Sequence, residues 1–61
     1  MAVTKPQLQA ALHLLKDAYR AVQDAQQPLG ADTKATTRLE RILERIDTEV
    51  EWLDRLLASM P

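Results

Sequence analysis

Apolar residues fall in two blocks, each spaced alternately three and four residues apart. The first reads Leu8, Ala11, Leu15, Ala18, Val22, Ala25, and the second Leu39, Leu43, Ile46, Val50, Leu53, Leu57, Met60, with Thr36 a weak extension. That spacing returns each side chain to one face of a helix and marks the a and d positions of a heptad. It predicts an all-α chain with a first helix over about 5–27, a loop over about 28–32 and a second helix over about 33–59.

Local signals set the boundaries. Thr4 and Gln7 have the spacing of a capping box, and Pro6 falls in the first turn, where a missing N–H costs nothing. Pro28 disfavours helical backbone at Gln27, and Gly30 can take a positive φ in the turn. Asp32 or Thr33 is placed to cap the second helix. So short a loop joins antiparallel neighbours.

The stripes are wider than one neighbour can cover. Leu12 and Tyr19 flank the first seam on one side, Leu14 and Ala21 on the other. Ala35, Ile42 and Leu56 widen the second, with Trp52 just beyond. Ala11, Ala18 and Ala25 recur every seven residues and let a neighbouring helix approach closely. The expected architecture is an antiparallel two-helix hairpin that dimerises into a four-helix bundle. Its interface would be Leu8, Ala11, Leu15, Ala18, Val22, Ala25, Leu39, Leu43, Ile46, Val50, Leu53 and Leu57. Leu12, Tyr19, Trp52 and Leu56 are candidate contacts for a further protein partner. Glu49 lies inside the widened second stripe, either as its solvated rim or paired with Arg45 one turn earlier. Glu40, Asp47 and Asp54 line one flank and Arg38 and Arg45 the other, as columns that set orientation or as solvated faces with local pairs such as Glu51 with Arg55.

Size sharpens the need for a partner. For 61 residues, surface scaling puts the gain from burying apolar area level with the entropic cost of ordering the chain, even for a sphere. No cysteine is present to add a disulfide, which also fits a reducing compartment. The start Met1-Ala2-Val3-Thr4-Lys5 does not lead into an apolar run, so neither a signal peptide nor a membrane span is expected, and the chain reads as a whole small cytoplasmic protein.

Little in the chain suggests catalysis or a cofactor. The single histidine, His13, has one carboxylate at helical spacing, Asp17, too few ligands for a metal site. Glu44, Asp47 and Glu51 lie on successive turns but lack the Glu-x-x-His pairs of bundle di-metal sites. Gly30 is the sole glycine, so a phosphate-cradling loop is absent. With a net charge of −1, bulk attraction to nucleic acid or anionic lipid is not expected. Acidic residues dominate the polar side of the second helix, the wrong sign for a membrane surface. Lys5, His13, Lys16 and Arg20 do share one side of the first helix, a candidate RNA-binding face interrupted by Asp17 and Asp24.

Two helices, a short loop and small residues in a seam make a layout that resembles the Rop-like RNA-binding regulators of plasmid copy number. It is similar in size to the small hairpin co-chaperones of secretion systems. Neither resemblance rests on a residue motif. The expected role is a non-enzymatic interaction or regulatory module that pairs with itself. The alternatives are a hairpin with an obligate heterologous protein partner and an RNA-binding regulator.

Overall fold

The computed structural model describes residues 2–30 and 33–61, with Thr33 described by its backbone alone. Two helices, α1 (Lys5–Gln26) and α2 (Thr33–Ser59), pack against each other as a hairpin, and no strand occurs among the described residues. At about 1.5 Å per residue the helices run roughly 33 and 40 Å. The molecule measures 45 × 18 × 15 Å, so they lie side by side.

Each end of α1 follows from its sequence. Thr4, extended at φ −84° and ψ 157°, accepts at its hydroxyl from the Gln7 amide at 3.3 Å, while the Thr4 amide donates to Gln7 Oε1 at 3.0 Å. This reciprocal box satisfies two donors that a helix start leaves open. The other end departs from expectation in one respect. Gln27 keeps helical angles (φ −59°, ψ −50°) although Pro28 follows. The ladder tightens instead: the amides of Gln27, Leu29 and Gly30 donate to the carbonyls of Asp24, Gln26 and Gln27 at 3.1–3.2 Å. Pro28 brings no N–H, so the chain leaves the helix through these three-residue steps. Gly30 then takes φ +60°, as its position in the turn suggests. The cap assigned to Asp32 or Thr33 lies outside the described residues and side chains.

Two side-chain bonds tie the loop end together. Gln26 Nε2 donates to the Thr36 carbonyl, and the Thr36 hydroxyl donates to the Gly30 carbonyl, both at 3.4 Å. Within α2, the poor helix formers Thr48 and Ser59 donate to the carbonyls of Glu44 and Leu56, at 3.0 and 2.7 Å, so neither hydroxyl competes for an unfolded turn.

The packing seam of α2 has the expected phase: Leu43 is buried, and Thr36, Leu39, Ile46, Val50, Leu53, Leu57 and Met60 are half-buried. The seam of α1 has a different phase. Leu8 and Leu12 are buried and Leu15, Tyr19, Val22 and Gln26 half-buried, whereas Ala11 and Ala25 are exposed. The helix is turned by about 50°, half the ~100° step between residues, relative to the seam expected from its alanines. Area explains the choice. Placing Leu12 and Tyr19 against α2 removes far more apolar surface from water than placing Ala11 and Ala18 there. Leu12, read from the sequence as a contact for another protein, is therefore core at 4% exposure, and Tyr19 packs at its edge.

Candidate functional site

The rotated phase of α1 gives the hairpin two unlike broad faces. Ala11, Leu14, Ala18, Ala21 and Ala25 each come one residue before a seam position of α1. Ile42, Arg45, Glu49, Trp52 and Leu56 each come one residue before a seam position of α2. In antiparallel helices, the step back from the seam turns toward the same side of the hairpin on both. These two rows therefore share one face. Residues one step after the seam share the opposite face: His13, Lys16 and Arg20 on α1, and Glu40, Glu44, Asp47, Glu51 and Asp54 on α2. A cleft lined by Lys16, Tyr19, Asp47 and Val50, and another by Tyr19, Glu40, Leu43, Glu44 and Asp47, lie on that side.

The first face is apolar and open. Leu14 is 66% and Trp52 58% exposed, and Ile42 and Leu56 are exposed beside them. Four large side chains exposed beside a row of small ones make an apolar surface, crossed on α2 by Arg45 and Glu49, of the kind that marks an interaction site. At its centre Arg45 Nε and Glu49 Oε1 form an ion pair at 3.1 Å, with Glu49 half-buried. Glu49 is thus both at the rim of the α2 stripe and paired with Arg45. Of the interface residues expected from the sequence, Leu8, Leu15, Val22, Leu39, Leu43, Ile46, Val50, Leu53 and Leu57 serve the hairpin seam. Ala11, Ala18 and Ala25 belong to the open face, Ala18 half-buried and the other two exposed. Leu14 and Ile42, expected only to widen the stripes, are exposed members of that face. The signal for them was their place one residue before a bulky seam position.

The second face is charged and mixed. Lys5, His13, Lys16 and Arg20 are all exposed, but five carboxylates of α2 share their side, and His13 Nε2 lies 3.5 Å from Asp17 Oδ2. Carboxylates outnumber the cations there, which works against the counterion release that drives phosphate binding. The pair Arg55–Glu51, at 3.9 Å, is an exposed contact within α2, as its spacing suggests. A third groove is lined, among the described residues, by Lys34, Thr37, Arg38 and Arg41 of α2. Among the described residues no three histidine, cysteine or acidic side chains are grouped to hold a metal ion, and no helix is long and apolar enough to cross a membrane.

No protein-family model matches the chain, and no curated protein or solved structure matches it either.

Proposed function

We propose that this chain is a non-enzymatic interaction module whose hairpin pairs with a second copy of itself to form a four-helix bundle. The open face supports the reading. Among the described residues the hairpin buries just Leu8, Leu12 and Leu43, and leaves Leu14, Ile42, Trp52 and Leu56 exposed on one side. A two-layer core needs that face covered. Burying it against another copy adds apolar area that the hairpin alone leaves in water.

Dilution tests the reading. Trp52 is the only tryptophan and lies on the open face, so its emission reports cover directly. Emission and far-ultraviolet circular dichroism are followed together as the chain is diluted from the high to the low micromolar range. We expect Trp52 emission to shift to longer wavelength on dilution, together with loss of helicity. Emission characteristic of exposed tryptophan at every concentration, with helicity unchanged, would reject self-pairing and leave the face to a different protein.

A further inference from the structure

The open face also carries a register, which rests on the self-pairing reading above and specifies it. The accessible surface is 4,994 Å², whereas surface scaling gives about 4,000 Å² for a compact 6.9 kDa protein. The excess, about 1,000 Å² per chain, is of the size that one partner contributes to a standard stable interface, about 800 Å². An interface of that size with a second copy would bring the exposed area of each chain to that of a compact protein.

Two twofold arrangements lay the same face of two hairpins together. In one, the axis runs along the helices and α1 of each copy lies on α2 of the other. In the other, the axis crosses the helices and each helix lies antiparallel on its own counterpart. The charges distinguish them. Gln26 bonds to the Thr36 carbonyl and Tyr19 shares a cleft with Leu43 and Glu44, so a one-for-one count along the antiparallel helices puts Lys16 at about the height of Asp47. Counting from that level, Leu14 stands beside Glu49 and Ala18 beside Arg45. The first arrangement would press Leu14 of each copy onto Glu49 of the other, and Arg45 onto Ala18.

The second arrangement pairs each helix with its own counterpart. Centred at the height of Asp47, antiparallel α2 helices set Arg45 opposite Glu49 of the second copy, and Ile42 opposite Trp52. They also set Arg38 opposite Leu56, where the arginine stem covers the leucine and its head reaches water. Centred at Lys16, antiparallel α1 helices set Leu14 opposite Ala18 and Ala11 opposite Ala21. The two centres fall at about one height, as a single axis requires. Leu14 then meets the small Ala18 on α1, Ile42 meets Trp52 on α2, and each central charge meets its opposite. We infer that two copies dock through this face with a twofold axis across the helices at the height of Lys16 and Asp47, and that reciprocal Arg45–Glu49 pairs at the axis select that register.

The test is a charge exchange read by sedimentation equilibrium, with circular dichroism as a check on helicity. R45E places only carboxylates at the axis, and E49R only cations. Like charges facing each other across an interface are penalised, so each variant alone is expected to dimerise at least about tenfold more weakly than wild type. Mixed one to one, they are expected to recover wild-type affinity as a heterodimer. Neither variant retains the contact between positions 45 and 49 of its own helix, so recovery must come from the partner. Singles with wild-type affinity, or a mixture without recovery, would overturn the register while leaving self-pairing in place. A wild type that stays monomeric would overturn both. Disulfide capture gives a second readout where a charge variant folds poorly. A11C mixed with A21C is expected to cross-link readily, and A11C alone is not. Efficient cross-linking of A11C with itself would also overturn the register.

Discussion

Leu12 shows how a single side chain sets the phase of a helix. Read by spacing alone, Ala11 and Leu12 are equally good seam positions, because both continue a three-four pattern from Leu8 and Leu15. The choice is made by area, and the leucine is 4% exposed while the alanine is exposed. Tyr19 shares the seam with a half-buried Ala18, and Gln26 takes the place beside Ala25 through its bond to the Thr36 carbonyl. Phase was thus not legible from periodicity, but it was legible from residue size, which spacing ignores. The consequence is measurable. Leu12→Ala should cost about 2–5 kcal/mol of stability, as expected for emptying a buried leucine site. His13→Ala, one step on and exposed, should stay within about 0.5 kcal/mol of wild type. Chemical denaturation of the two variants at matched concentration decides this, and a wild-type midpoint for Leu12→Ala would place the seam elsewhere.

At the scale of the element, the ends were easier to read than the faces. The box at Thr4 and Gln7 and the positive φ of Gly30 depend on local chemistry that the sequence states outright. The exit of α1 was legible in place but not in mechanism. Pro28 does not expel Gln27 from helical angles, because the ladder shortens to three-residue steps and keeps those amides bonded. On α2 the seam was read correctly, since Leu39, Leu43, Ile46, Val50, Leu53 and Leu57 have no equally spaced rival row of comparable bulk. The cap of α1 supplies the test here. Thr4→Ala removes the hydroxyl that accepts from the Gln7 amide, and should lower stability by about 1 kcal/mol. Thermal melts read it as a lower midpoint, while a melt identical to wild type would mean that water satisfies that amide equally well.

For the whole molecule, the decisive property is that a hairpin of this length cannot close over its own apolar surface. Width of the stripes announced this in the sequence, and the structure locates the uncovered part on one face, with the Arg45–Glu49 pair at its middle. The opposite face could not be assembled from either helix alone. Lys16 and Arg20 read as a basic patch until α2 brings Glu40, Glu44 and Asp47 to the same side. That juxtaposition is set by how the helices pair, which one-dimensional spacing does not encode. Sedimentation equilibrium of the unmodified chain tests the account at this scale. We expect a mass of twice 6.9 kDa at high micromolar concentration, falling toward 6.9 kDa with loss of helicity on dilution. A fully helical species of 6.9 kDa at every concentration would contradict it.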